Sequence, residues 1–176
     1  MKYLVKFFVV TFLFFICTYV QAEDSNSIAY IDLKIVLNES KAGKEAQAFL
    51  KKNAKTNVDK FTKLENSLKK KEQDLIAKKN VLNKEEYKKM ANNLRKEVSN
   101  FQNDRNSALQ TIAKQRTTAR AQLVDALRPI LKDYSKENNI SLIINKKDAL
   151  YIDDSLDLTK PIIKILNKNL PSVNLK

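Results

Sequence analysis

Apolar residues in the central part of the chain recur at helical spacing in two successive series. The intervals are mostly three, four or seven residues, which places one narrow apolar stripe along each helix. The first series consists of Phe49, Val58, Phe61, Leu64, Leu68, Leu75 and Leu82. The second consists of Tyr87, Ala91, Leu94, Val98, Phe101, Ala108, Ile112, Ala119, Leu123 and Ala126. The two stripes predict two long helices that pack against each other as an antiparallel hairpin.

Helix-breaking residues are almost absent from this region. Residues 41–128 contain no proline, and Gly43 is their only glycine. In a helix interior proline costs about 3 kcal/mol and glycine about 1 kcal/mol. Asn83 precedes Glu86 by three residues, the spacing of a capping box at a helix start, so we place the reversal of the hairpin at residues 80–84. A single uninterrupted coiled coil is the alternative, but Asn83 would then lie inside a helix and could not act as an N-cap.

Short runs of β-branched and aromatic residues flank the helical region. Residues 28–33 have the composition of a strand, as do residues 140–145 and 149–153, which a turn at 146–148 separates. The last two strands predict a β-hairpin. Three short strands bury little apolar area and leave unpaired edges. We therefore expect strands from several subunits to complete the sheet.

Further positions mark the helix ends. Asn38 and Ser40 are alternative N-caps of the first long helix. The second long helix is expected to end near residues 138–139. Thr159 is the predicted N-cap of a short amphipathic helix that runs through Leu170 and closes the fold.

The predicted fold is mainly α with a small β body. Residues 41–128 form a long antiparallel helical hairpin, a coiled-coil segment that we call the arm. Residues 23–40 and 129–176 form the β-containing platform from which the arm projects, which we call the body. With the leader removed, 154 residues remain by subtraction from the 176 of the chain, a length that suits one domain with an appendage.

The first 22 residues have the features of a secretory signal peptide. Lys2 and Lys6 provide a positive start, residues 7–20 are almost wholly apolar, and Ala22 fits the last position of a cleavage site. An uncleaved membrane anchor is the alternative, but the apolar run is shorter than the roughly 20 residues that span a bilayer. The mature chain is therefore expected outside the cytoplasm, without Cys17, the only cysteine.

Positive charge is concentrated in the predicted arm. Residues 41–128 contain 22 Lys and Arg and 10 Asp and Glu, so the arm carries 22 − 10 = +12. Charge runs on exposed helices usually only keep the helix soluble and form i,i+4 pairs worth about 0.2–0.5 kcal/mol, but such helices have nearer equal numbers of both signs. The imbalance makes the cations near the tip candidates for contact with a protein partner or with anionic lipid. They are Lys69, Lys70, Lys71, Lys78, Lys79, Lys84, Lys88, Lys89, Arg95 and Lys96.

Composition argues against an enzyme and against a nucleic-acid binder. The chain has no histidine and one glycine, so common catalytic bases, metal ligands and a phosphate-binding loop are missing, and we expect no cofactor. The acidic residues Asp148, Asp153, Asp154 and Asp157 are expected to serve turns and helix caps; a calcium site is the remote alternative. The export signal, and the absence of aromatic side chains interleaved with the lysines, oppose nucleic acid as the partner.

Two stretches of the sequence, and the order of the predicted elements, resemble those of a known protein family. The first joins Ile28-Ala29-Tyr30-Ile31-Asp32 to residues 36–44, which include the single glycine. The second joins residues 140–145 to Tyr151-Ile152-Asp153 and Asp157-Leu158-Thr159. Behind its signal peptide the chain resembles the Skp (OmpH) family of periplasmic chaperones for outer-membrane proteins. The resemblance covers essentially the whole mature chain, although the arms match in character only.

The resemblance implies a periplasmic homotrimer whose three arms enclose a cavity that holds unfolded outer-membrane proteins and prevents their aggregation without ATP. Three arms together would carry roughly 3 × 12 = +36, a field that attracts acidic chains over about a Debye length of 8–10 Å. The residues expected in the core of the trimeric body are Ile28, Tyr30, Leu142, Ile144, Leu150 and Ile152. The alternative is a coiled-coil structural or adaptor protein of the cell envelope that binds one folded partner.

Overall fold

The computed structural model describes residues 27–175. Its elements in chain order are β1 (Ser27–Ile31), α1 (Leu33–Glu39), α2 (Lys41–Ala77), α3 (Lys84–Glu137), β2 (Ile140–Asn145) and α4 (Thr159–Asn169), with 3₁₀ turns at Lys146–Asp148 and Asp154–Leu156. The fold is mainly helical with a small sheet, as the sequence predicts. The predicted signal peptide of residues 1–22, with its cleavage site and Cys17, lies outside the described residues.

The two long helices pack against each other in opposite directions. Phe61 of α2 meets Phe101 of α3, and nearer the turn Lys71 meets Glu97. The connection spans residues 78–83, after which α3 begins. The predicted antiparallel hairpin is therefore confirmed.

Asn83 starts α3 with the predicted capping box. Its Oδ1 accepts the backbone N–H of Glu86 at 2.8 Å, and Glu86 Oε2 accepts the backbone N–H of Asn83 at 3.3 Å. Each side chain thus satisfies a backbone donor that has no partner inside the helix. The sharp start of α3 fixes where the chain can turn back.

The sheet consists of β1 and β2, which pair in parallel. Ile28 lies beside Leu142 and Tyr30 beside Ile144. Parallel neighbours need a long crossover connection, and here the whole arm lies between the two strands. The pairing of β1 with β2 therefore holds the two ends of the arm together.

The predicted third strand at residues 149–153 is wrong, and with it the predicted β-hairpin. These residues form no strand. Asp153 Oδ1 accepts the N–H of Ser155 at 2.8 Å and starts a 3₁₀ turn. The chain then returns to the sheet at an isolated bridge between Tyr30 and Asp157. The hydrogen bond from the backbone of Ser155 to the Asp153 side chain favours a turn, and this preference outweighs the β propensity of the preceding residues.

The core of the body lies where α1, α3 and α4 meet the sheet. Its buried members are Ile31, Val36, Ala42, Leu123, Leu127, Ile130, Ile162 and Leu166. α3 continues from the arm into this core without a break and ends at Glu137, past Pro129. The arm is thus anchored by a helix that belongs to both parts.

A tight corner joins α1 to α2. Asp32 caps α1 by accepting the N–H of Ile35 at 3.0 Å. Of the two predicted caps for α2, Ser40 is the N-cap, and its Oγ accepts the N–H of Gly43 at 3.2 Å. A Cβ at Gly43 would lie 1.8 Å from the carbonyl oxygen of Leu37. Glycine at this position lets the two helices approach more closely than any other residue allows.

The N-cap of α4 is Leu158 rather than the predicted Thr159. The Thr159 hydroxyl is used elsewhere, since its Oγ1 accepts the N–H of Asp32 at 2.8 Å. This bond ties the start of α4 to the junction of β1 and α1. The predicted end is correct, because Leu170 is the C-cap. Across residues 27–175, no helix is long and apolar enough to cross a membrane.

Candidate functional site

A thin and discontinuous apolar seam holds the arm together. After Ala46, the buried residues of α2 are Leu50, Phe61 and Leu75, which lie 11 and 14 residues apart. Phe61 packs edge-to-face on Phe101, with ring centroids 5.9 Å apart and an interplanar angle of 73°. Between these points the helices touch through half-buried or exposed side chains. Such an arm has few buried contacts per turn, which favours bending and local opening.

Not every residue of the first predicted stripe lies in the seam. Val58 is 63% exposed and Leu64 is 40% exposed, so their predicted burial is wrong. Two helices in contact bury only one narrow strip each, and these two residues lie outside it. All ten residues of the predicted stripe on α3, by contrast, are buried or half-buried.

The turn of the arm exposes apolar surface among its cations. Val81 is 82% exposed and Ile76 is 63% exposed. Lys78 and Lys79 lie between them in sequence and are exposed as well. Val81 and Ile76 lie outside the two apolar stripes, so helical spacing alone does not single them out. A mixed cationic and apolar tip can contact both acidic groups and apolar side chains.

A groove of about 540 Å³ lies between α2 and α3 in the distal half of the arm. Charged residues line part of it, among them Lys69 and Arg95. Its apolar lining consists of Leu68, Leu75, Ile76, Tyr87, Ala91, Leu94, Val98 and Phe101. A second depression of about 300 Å³ shares Leu75 and Leu94 with the first and adds Met90. The loose seam therefore leaves space that an apolar side chain of another polypeptide can fill.

The ten predicted contact residues of the arm are all exposed. Lys69 pairs with Glu65 at 3.0 Å, where its hydrogen bond and charge lower the pKa of that carboxyl. Lys71 pairs with Glu97 across the arm at 2.6 Å. The other eight form no ion pair within residues 27–175. Most of the cations that the sequence places near the tip are thus not paired with a carboxylate of residues 27–175.

Residues of the predicted trimer core occupy two different environments. Tyr30 is fully buried inside the subunit, and Ile144 and Ile152 are half-buried. The other three predicted core residues, Ile28, Leu142 and Leu150, are exposed, and so is Tyr151. Because the sheet within residues 27–175 has only two strands, β2 is an edge strand. An edge strand beside exposed apolar side chains is the kind of surface that other subunits can cover.

Tyr30 links the sheet to the acidic loop before α4. Its hydroxyl donates to Asp154 Oδ1 at 3.2 Å, and Lys146 Nζ lies 5.4 Å from the centre of its ring. Burial, followed by the hydrogen bond to Asp154, raises the pKa of Tyr30 to about 12. Asp157 Oδ1 accepts the N–H of Thr159. Asp157 therefore serves a turn at the start of α4, as the sequence predicts, whereas Asp154 binds the side chain of Tyr30 instead.

Comparison with known proteins gives two findings. The model of the family described as Outer membrane protein (OmpH-like) matches residues 27–166. The crystal structure of a protein assigned as an outer membrane chaperone (OmpH-like) from Caulobacter crescentus CB15 superposes with a TM-score of 0.77. The superposition covers 84% of this chain and 88% of that chain at 14% sequence identity, so it shows a shared fold. No curated protein sequence matches this chain.

Proposed function

The chain belongs to the OmpH-like outer membrane protein family, and from this premise we propose that it is an ATP-independent holdase that binds unfolded outer-membrane proteins in the periplasm. Its arm would hold the unfolded polypeptide and prevent aggregation until the client folds elsewhere. The assignment of the Caulobacter crescentus protein with the same fold as an outer membrane chaperone supports a role of this class.

The observation that carries the proposal is the surface of the arm. Eight of its ten selected cations form no ion pair with a described residue, and two of them, Lys78 and Lys79, lie in sequence between the exposed apolar residues Ile76 and Val81. Positive charge attracts acidic clients without regard to sequence, while the loose groove accepts apolar side chains. Weak contacts of both kinds, repeated along several arms, give tight overall binding through multivalency.

The body is proposed to assemble three subunits. Ile28 is 47% exposed and Leu142 is 52% exposed, although the two are paired in the sheet. Burial of such residues stabilises assembly at about 25 cal/mol per Å² of apolar area. Because the core of each subunit is small, burial at the interface would supply a large share of its stability. In the trimer the three arms surround one cavity, and the body residues Leu150 and Ile152 contribute to the interface.

Other parts of the proposal follow from the sequence. Cleavage after Ala22 would release the mature chain into the periplasm. We assign it no catalytic activity, no cofactor and no nucleic-acid partner. The exposed apolar Val81 and the neighbouring cations Lys78, Lys79 and Lys84 also suit contact with an anionic lipid surface.

The test is aggregation of an outer-membrane β-barrel protein that is diluted from urea, followed by light scattering. An equimolar amount of trimer is expected to suppress the scattering without nucleotide, and less so at high salt. Replacing Lys78, Lys79 and Lys84 by glutamate should weaken protection. The control variant replaces Lys160, Lys164 and Lys168 on α4 by glutamate, which changes the net charge equally but lies in the body. Unchanged aggregation with the parent protein refutes the proposal. Exclusive binding to one folded protein supports the adaptor alternative.

A further inference from the structure

The end of the chain packs against the base of the arm. After α4, residues 170–175 form neither helix nor strand; we call residues 171–175 the tail. Leu175 is 7% exposed and packs in a cluster with Leu50 of α2 and Ala119 of α3. Val173 contacts the same cluster, whereas Asn174 between them is exposed. Alternate burial of side chains is the pattern of an extended chain lying on a surface.

Two glutamines of α3 hold the backbone of the tail. Gln122 Nε2 donates to the carbonyl of Asn174 at 2.8 Å, and Gln122 Oε1 accepts the N–H of the same residue at 2.9 Å. Gln115 Nε2 donates to the carbonyl of Leu175 at 2.8 Å. A side-chain amide has the same donor and acceptor groups as a peptide. All three hydrogen bonds go to peptide groups, so they do not depend on the identity of the side chains in the tail.

The groove under the tail contains a hydrogen-bond acceptor without a donor and a space that the tail does not fill. Gln115 Oε1 is buried and accepts no hydrogen bond from the described residues. A space of about 290 Å³ lies beside Leu175, lined by Thr111, Lys114 and Thr118 of α3. A buried acceptor without a donor is unfavourable, and the backbone N–H of a longer extended segment would satisfy it. The site therefore suits an extended polypeptide that is longer than the tail.

We propose that the groove between α2 and α3 at the base of the arm is a docking site for extended polypeptide with alternating apolar residues, and that the tail occupies it until such a segment displaces it. The class of ligand is a transmembrane strand of an unfolded β-barrel, in which apolar residues recur at every second position. This assignment rests on the proposed function, because a holdase for outer-membrane proteins meets such strands before they fold. The tail then acts as a built-in competitor at the foot of the cavity.

The contacts of the tail are suited to exchange. They include one buried leucine, one half-buried valine and three hydrogen bonds to half-buried glutamines, and a segment with few buried contacts opens locally at a low cost in free energy. A tethered segment competes at an effective concentration on the order of millimolar. If the tail sequence binds the groove as a free peptide with a Kd of about 0.1 mM, the tethered tail would weaken the binding of a competing peptide about tenfold.

The test measures peptide binding to the full mature protein by fluorescence anisotropy. The probe is a labelled synthetic octapeptide of alternating valine and threonine, and the control peptide has the same composition with its four valines contiguous. The variant Leu175→Asp releases the tail. The variant Ser172→Asp adds the same charge at an exposed tail position and is its matched control.

Leu175→Asp is expected to bind the alternating peptide about tenfold more tightly than the parent protein and Ser172→Asp. Adding Gln115→Ala and Gln122→Ala should remove that gain. Circular dichroism checks that each variant is folded, and a chain that ends at Leu170 serves as a second way to free the groove. Equal affinity with and without the tail, equal binding of both peptides, or no effect of the glutamine substitutions would overturn the proposal. Peptide binding without suppression of aggregation would instead reject the holdase function and leave the groove in place.

Discussion

Gly43→Ala tests how the corner between α1 and α2 is built. In most helix interiors this substitution stabilises the helix by about 1 kcal/mol. At this corner we expect the opposite sign. The new Cβ would lie 1.8 Å from the Leu37 carbonyl oxygen and 2.9 Å from Ser40 Oγ, the atom that caps α2. A contact of 1.8 Å is relieved only if α1 moves away from α2.

The magnitude follows from what that movement exposes and breaks. Loss of the Ser40 cap costs about 1 kcal/mol. Partial exposure of Val36 and Ala42, both of which have no exposed surface, costs about 2 kcal/mol at the usual value for a buried aliphatic side chain. After the helix-propensity gain of about 1 kcal/mol is subtracted, Gly43→Ala is expected to destabilise the protein by about 2 kcal/mol.

Urea unfolding followed by circular dichroism measures the effect at one fixed protein concentration, because the proposed trimer would make the stability depend on concentration. The control is Ala48→Gly at an exposed position of α2, which calibrates the propensity difference and should cost about 1 kcal/mol. If Gly43→Ala is as stable as the parent protein, or more stable, the close approach of α1 and α2 is refuted.

Three further substitutions test other contacts. Asn83→Ala removes the capping box and should lower the free energy of unfolding by about 1 kcal/mol in urea titrations; no change would show that the turn does not depend on the cap. Lys71 and Glu97 are exposed enough that a double-mutant cycle should give a coupling below about 1 kcal/mol, and a larger value would indicate a far more desolvated seam. The pKa of the Tyr30 hydroxyl is raised from 10 to about 12, so the folded state binds the hydroxyl proton more tightly than the unfolded state does. The resulting stability is present below pH 10 and lost as the pH rises toward 12. The stability of Tyr30→Phe should therefore fall less steeply than that of the parent protein in this range, and parallel curves would contradict the assignment.

The arm was predictable because its signals are local. The absence of proline, the helical period and the Asn83 capping box all act within a few residues, and each appears in the structure as expected. The exposure of Val58 and Leu64 was not predictable at the same level. Helical spacing shows which residues share a face, but it does not show how wide the strip is that a single partner helix covers.

The body was harder to predict because its contacts join residues far apart in sequence. Residues 149–153 have the composition of a strand, yet Asp153 starts a turn and the sheet gains only a bridge at Asp157. Docking of the tail depends on Gln115 and Gln122, which lie 60 and 52 residues from their partners. A glutamine on an exposed helix has no local pattern that predicts such a role.

Native mass spectrometry gives the most direct test of the account as a whole. The mature protein is mixed with an outer-membrane β-barrel polypeptide on dilution from urea, without nucleotide, and the masses of the complexes are read. The account predicts a species with three copies of this chain and one unfolded barrel polypeptide. Free single chains alone, with the barrel protein lost to aggregates, would contradict it.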